Sequence, residues 1–365
     1  MTISLRTCLV ALLLLVAAPA DASFRQQFRH GVLELEQADA DGDVEITLQS
    51  GGGVVLEEPS VPSLASFGGV ASLVVVMADG SGSALLLHFD DALAGSLDLE
   101  LGDGDRSVTI AGGAPRIGGD LTLRGGAGSQ EIDVTATQPV RVGGDFVAVG
   151  INRYSSPGVP LYVTGNLGWS MGKETAPSLL DLFYLFLDGS LAYRGSSDVD
   201  QVDLGYGQVQ IGGNVKIDLG DGFTSTGEMQ FVHFKSSGAP NSPSVAGSTS
   251  ISSGDGTNGD EVSIEGNAHL AGALKLALGG GANAAEVDGV CGKLQYTGGA
   301  GADSLELGMT APSAAVKLGA GDDLLYLADT LALPALAVDF GPGSDELDVE
   351  VGTQLPTNLK QKNLP

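Results

Sequence analysis

Three aspartates, Asp303, Asp323 and Asp345, are spaced 20 and 22 residues apart, and each follows a glycine-rich corner. Glycine corners leave backbone carbonyls open, and the aspartates add negative charge. Together these are the oxygen donors that a hard cation such as calcium gathers, about 6–8 at a time. The same Gly-Asp pairs also make ordinary turns, because aspartate bonds to nearby backbone and glycine tolerates positive φ. A second group with chemical potential is aromatic. Eight of the 19 aromatic residues fall between Tyr154 and Tyr206, and Arg153, Lys173 and Arg194 lie close by in the chain. Such rings stack on sugars, although Trp169 and Tyr193 fall on inward positions of the pattern described next and read as core. His30, His88, His233 and His269 show no metal-ligand spacing.

The elements that position these residues are repeats. Residues 93–104 (LAGSLDLELGDG), 211–222 (IGGNVKIDLGDG) and 270–281 (LAGALKLALGGG) share the frame φ-x-G-x-φ-x-φ-x-φ-G-x-G, where φ is usually apolar. Residues 117–128, 245–256 and 290–301 fit it too, and weaker copies start at Gly69, Val142, Val163, Leu187, Thr310 and Ala332. Starts lie 20–25 residues apart except for one interval of 34, which holds a Ser/Gly/Pro-rich insertion at 236–244. A period of this size means a solenoid or an array. Alternation at positions 5, 7 and 9 is the signature of a strand with one buried face. A second short alternation follows the glycine corner, as in Leu305/Leu307, Leu325/Leu327 and Leu347/Val349. The glycines at positions 10 and 12 suit corners that need positive φ. Asp303, Asp323 and Asp345 occupy position 14, so they stack along one edge. Upstream, that position holds Asn283, Asn258, Thr224, Asp200, Ala176, Ser155, Gln130 and Arg106. Asp103, Asp221 and Asp255, in the corners, read as weaker ligands.

Composition narrows the function classes. The 365 residues carry 45 acids against 17 bases, a net charge of -28, and 43% are hydrophobic. A core is therefore affordable, and nucleic acid is excluded as a partner because phosphate binding needs clustered Lys and Arg. Residues 1–22 read as a secretory signal peptide, with Arg6, an apolar run of 11 residues from Cys8 to Ala18, and the small-residue site Ala20-Asp21-Ala22. The run is too short to span a bilayer. Cys8 leaves with this segment, so Cys291 remains alone, without an internal disulfide partner, and reads as a small buried apolar residue. Residues 23–41 are expected to cap the N-terminal end and 352–365 the C-terminal end.

Around the three aspartates the chain resembles the RTX, or haemolysin-type, calcium-binding repeats, whose nonapeptide is G-G-x-G-x-D-x-U-x with U large and apolar. Residues 298–306 (GGAGADSLE) fit at every specified position, and 318–326 (LGAGDDLLY) and 340–348 (FGPGSDELD) fit except at the first glycine. The resemblance covers about 50 residues, with one nonapeptide per 20–22 residues where RTX rolls carry two per 18. It implies calcium between loops of successive coils, about two ions, with Gly299, Gly301, Asp303, Gly319, Gly321, Asp322, Asp323, Gly343 and Asp345 as the metal-binding set. Asp39-Ala40-Asp41-Gly42-Asp43 also resembles part of an EF-hand loop, but Gln37 and Leu48 then fall on the first and last ligand positions. The bidentate glutamate is missing, and an exposed acidic turn is the better reading. Gly168-Trp169-Ser170-Met171-Gly172 matches the G-x-S-x-G nucleophile elbow, with His233 and His269 downstream. The repeat explains the same residues without catalysis, placing Leu167, Trp169 and Met171 inward and Ser170 outward.

These readings define an all-β, single-domain parallel β-solenoid over 42–351, of about 12 coils of 20–25 residues and on the order of 50–55 Å long. The expected protein is secreted and calcium-binding, a structural or adhesin-like surface-interaction rod rather than an enzyme. Its place is the extracellular space, the cell surface or the periplasm, and its partner is a polysaccharide or a protein. GGDLTL (119–124) resembles pieces of filamentous-haemagglutinin-type adhesin repeats. The alternative is a carbohydrate-active parallel β-helix such as a polysaccharide lyase; convergent acids and bases around 150–210 favour that one.

Overall fold

The computed structural model describes residues 24–37, 43–58, 61–80, 82–113, 115–171, 177–222, 229–236 and 242–363. The expected leader at 1–22, most of the acidic turn at 39–43, Gly172, Lys173, Ala176, Thr224 and residues 237–241 of the insertion lie outside them.

Alternation becomes strand as expected. In Leu97–Glu100, the leucines at 97 and 99 are buried while Asp98 and Glu100 face out. A representative coil runs Val140–Val142, a glycine corner, Phe146–Val149, a second corner, then Arg153–Ser155. Each piece pairs in parallel with its counterpart one coil later: Val142 with Val163, Phe146 with Leu167, Arg153 with Leu179. Repetition of this step builds a sheet of 21 strands and another of 15. The chain is thus a β-solenoid of about 11 turns, with no helix among the described residues.

Register puts like residues above like. Leu73, Leu97, Leu121, Phe146, Leu167, Leu191 and Val215 form one continuous inward column. Truncating one of these leucines to alanine costs about 2–5 kcal/mol, because flanking coils cannot collapse into the gap. The middle coils hold the bulkiest core: Phe146, Tyr154 and Trp169 meet edge to face, with centroids 6.2, 6.2 and 5.9 Å apart. Trp169 and Tyr193 are each 2% exposed, so the inward placement read from the repeat holds.

At the N-terminal end the exposed edges are closed by reversal of direction. Phe24–Arg29 pairs antiparallel with Val32–Gln37, itself already a rung parallel to Ser72–Val76. On the other sheet, Gly53–Glu58 and Val61–Phe67 add two antiparallel strands to Val44–Gln49. The C-terminal segment instead supplies a final parallel rung, Asn358–Lys362 beside Ala335–Asp339.

The residue after the frame's conserved glycine has a function that hydrophobic patterning does not reveal. The backbone N–H of Asp120 donates to Ser96 Oγ at 3.0 Å, Asp145 N–H to Asp120 Oδ1 at 2.9 Å, and Asn166 N–H to Asp145 Oδ1 at 2.6 Å. The series continues through Ser190 and Asn214 to Ser248. Each short polar side chain supplies the acceptor that a corner amide lacks, since the bend removes it from the strand ladder. The next coils carry Ala273 and Lys293, which offer no acceptor. There the strand His269–Ala277 runs straight through the corner, with a register shift between Leu270 and Ala273. Asp145→Ala is expected to cost about 1 kcal/mol in denaturant unfolding, and Asp145→Asn much less, because the amide oxygen keeps the bond.

Candidate functional site

The three aspartates do stack, and they belong to something longer. Asp260, Asn283, Asp303, Asp323 and Asp345 follow one another coil by coil, all buried. Asp260 N–H donates to Asn283 Oδ1 and Asn283 N–H to Asp303 Oδ1, both at 3.0 Å. Asp303 N–H donates to Asp323 Oδ1 at 2.9 Å, and Asp323 N–H to Asp345 Oδ1 at 3.1 Å. The column continues upstream through Gln230, Asp200, Ser178, Asn152, Gln130 and Arg106, again all buried. It occupies the inside of the corner between the two sheets, where backbone amides would otherwise be buried without partners.

The second carboxylate oxygens distinguish the aspartates. Asp303 Oδ2 accepts from the N–H of Gly299 at 3.0 Å, four residues back across the corner, as Asp200 Oδ2 does from Ser196 at 2.7 Å. Asp200 also accepts from Ser178 Oγ at 2.5 Å and Tyr193 Oη at 2.9 Å. Asp323 Oδ2 and Asp345 Oδ2, in contrast, are buried and have no hydrogen-bond partner among the described residues, and neither does the nearby Tyr296 hydroxyl. Burial raises Asp200 and Asp260 to about 6. Burial also raises Asp303 and Asp323, the latter further through the charges of Asp303, Asp345 and Asp322. The Tyr296 hydroxyl is pushed up by burial and by Asp303 and Asp323.

The glycines of the expected metal-binding set stack as well; Gly301, Gly319 and Gly321 take the positive φ expected of corners (140°, 118° and 147°), and close approach between coils adds a second reason. Gly299 is not in the left-handed region, yet a Cβ there would lie 1.7 Å from the Gly279 carbonyl oxygen. At Gly343 it would lie 1.6 Å from the oxygen of Gly321. Close approach of one coil to the next thus demands glycine even where φ does not. The carbonyls are partly committed, since Gly299 O accepts from Ala320 N at 2.9 Å. Asp322 is exposed, and its Oδ1 accepts from Ser344 N–H at 2.8 Å. Asp103 makes a similar bond to Ala127 N–H at 2.8 Å. Among the described residues, no three His, Cys, Asp or Glu side chains gather as a ready metal cluster, so a cation here would lean on carbonyls and water beside the carboxylates.

Other candidates separate by face. Ser170 lies on the outward side of Leu167–Ser170, a rung held between Phe146–Val149 and Leu191–Arg194. Cys291 is 4% exposed, and burial raises its thiol to about 11, which leaves it protonated and inert at neutral pH. Of the aromatic group, Tyr154, Trp169 and Tyr193 are core, whereas Tyr162 and Phe186 stack on the outside with Arg141 over the Tyr162 ring.

Fold and column together define an all-β parallel solenoid with a polar seam along one corner. No protein-family model, curated protein or solved structure matches the chain.

Proposed function

We propose that the chain is an exported solenoid that serves as a structural or surface-interaction rod, with calcium held at its C-terminal corners. The observation that supports it is the pair of half-used carboxylates at Asp323 and Asp345, whose buried Oδ2 atoms lack partners. A buried, unpaired anion is costly unless a proton or a cation joins it. The glycine corners beside them add carbonyl oxygens of the kind calcium takes. The acidic sequence suits an oxygen-ligand cation rather than a nucleic-acid partner, and a rigid rod offers long flat surfaces for binding.

Calcium that binds only the folded state, at 100 times its dissociation constant, stabilises by about 2.7 kcal/mol per site. The full chain should therefore melt several degrees higher in millimolar calcium than in chelator. The double variant Asp323→Asn/Asp345→Asn keeps both Oδ1 acceptors and removes the charge. It should lose the calcium shift while melting in chelator no lower than the parent. Superimposable parent curves in calcium and chelator overturn the calcium reading.

A further inference from the structure

A second polar cluster lies on the outside of the solenoid, away from the corner column. Asp181, Asp203 and His233 are register partners on three successive parallel strands, Ser178–Leu182, Asp200–Gly205 and Gln230–Lys235. Neighbouring backbones there are about 4.8 Å apart. Asp203 Oδ1 is 3.2 Å from His233 Nδ1 and 3.1 Å from Lys235 Nζ. Lys235 also donates to Tyr206 Oη at 2.6 Å and lies 4.5 Å from the centroid of that ring. On its far side, His233 Nε2 meets Glu261 Oε1 at 3.2 Å, and its ring stacks on Phe231 with centroids 4.5 Å apart. Asp203 Oδ1 thus lies within ion-pair distance of two basic side chains, whereas Asp181 Oδ1 is buried and has no hydrogen-bond partner among the described residues.

Two further observations mark the place. Tyr206 has φ 59°, in the left-handed region, which is strained for a residue that carries a side chain. Strain of this kind gathers at functional sites. The strained turn carries the half-exposed Tyr206 ring against Phe183, with centroids 5.5 Å apart, so aromatic faces border the carboxylates. The two acids also differ in proton affinity. Burial lifts Asp181 to about 6, with the charge of Asp203 adding to the rise and Lys235 and Arg153 opposing it. Burial would raise Asp203 too, but hydrogen bonds from His233 and Lys235 carry it below the usual carboxylate range. Neighbouring carboxyls set apart in this way are suited to be an acid and its ionised partner.

We propose that this face hydrolyses the glycosidic bond of a neutral, extended glycan, with Asp181 as the acid and Asp203 as the nucleophile. The outer sheet repeats the same strand from coil to coil, which suits a polymer, and the rings of Tyr206 and Phe183 offer stacking surfaces. A net charge of -28 disfavours a polyanion, hence a neutral chain. Register-paired side chains on neighbouring strands leave one face about 5 Å apart, the separation that suits a glycosidase whose second carboxylate attacks directly. In the first step Asp203 bonds to the anomeric carbon, the bond to the glycosidic oxygen breaks, and Asp181 gives that oxygen its proton. In the second, water attacks the same carbon, Asp181 takes a proton from it, and the Asp203 ester bond breaks. Water is the only co-reactant. His233 and Lys235 are positioning residues that hold Asp203 ionised.

The test is release of reducing ends by the full chain from xylan, mannan, β-glucan and amylose between about pH 4 and 7, in calcium and in chelator alike. At least one glycan should be cut, with retained anomeric configuration and an alkaline limb near the Asp181 value. Asp181→Asn and Asp203→Asn should each lower turnover by about 100-fold or more while the glycan still binds and melting is not lowered. Lys235→Met should move the acid limb upward, a change that lost packing alone would not produce. No cleavage of any of the four, parental turnover by Asp181→Asn, or cleavage of casein but not glycan overturns the proposal. Because calcium is varied separately, failure here and failure of the calcium-held rod give different results.

Discussion

Lowering the pH from about 7 to about 4 in chelator raises the melting temperature of this protein, by about 5 °C or more. The direction follows from the column. Asp200 and Asp260 have folded-state values of about 6 against an ordinary 3.8, and burial is the leading cause in each. Asp303 and Asp323 are raised for the same reason. A raised carboxyl holds its proton in the native state at a pH where the unfolded chain has lost it. Its contribution is complete below about 4 and disappears as the pH rises through about 6. For Asp200 the difference corresponds to on the order of 3 kcal/mol. Asp203 and Asp339 are shifted the opposite way, so their stabilisation begins to fade as the pH falls past the ordinary 3.8 and is gone below their own depressed values. The optimum therefore falls near pH 4, lower than for most proteins. Asp200→Asn should flatten the rise, since an amide keeps an acceptor and can donate to the Ser178 and Tyr193 hydroxyls without carrying charge. Melting curves that fall steadily on acidification from pH 7 would remove this account. Protons and calcium also compete for the same oxygens, so the calcium shift should be larger at pH 7 than at pH 5.

The fold was legible because one rule repeats. An apolar residue at every second position, punctuated by glycine every 20–25 residues, leaves few ways to bury the apolar face and satisfy the backbone except by winding. The polar column was legible only where corners keep a fixed length. Position 14 of the frame lands on the true column at Asp303, Asp323, Asp345, Asn283, Asp200, Gln130 and Arg106. It slips to Asn258 where the structure uses Asp260, and to Ser155 where it uses Asn152. A corner two residues longer or three shorter moves the polar residue without disturbing the apolar alternation, and nothing in the frame records the change. The Asp181, Asp203 and His233 line was harder still. These residues sit on outward positions of the second strand, which no glycine marks, and the insertion after Lys235 breaks the spacing nearby. The segment 150–210 had stood out for its aromatics and bases, but its acids had no pattern until register aligned them.

Gly299→Ala prevents folding or destabilises the chain by about 4 kcal/mol or more, whereas Gly168→Ala leaves it unchanged or slightly more stable. The two substitutions add the same methyl group to the same solenoid, so the difference isolates what the corner requires. At Gly299 the new Cβ would lie 1.7 Å from the oxygen and 2.4 Å from the carbon of Gly279, both backbone atoms of the previous coil. Neither can swing aside as a side chain would, because Gly279 is fixed in turn by Gly254, whose oxygen lies 1.7 Å from a Cβ built on Gly279. Relief needs the coils to part, and that would stretch the Asn283-to-Asp303 bond that joins them. Gly168 faces outward on a strand, with nothing within 4 Å of an added Cβ and no positive φ. There alanine restricts the unfolded chain at no steric cost, which stabilises by about 0.4–1 kcal/mol. Denaturant unfolding of both variants against the parent settles the matter. A Gly299→Ala protein within about 1 kcal/mol of the parent would mean that the corner glycines are turn formers only, and that successive coils are not in backbone contact there.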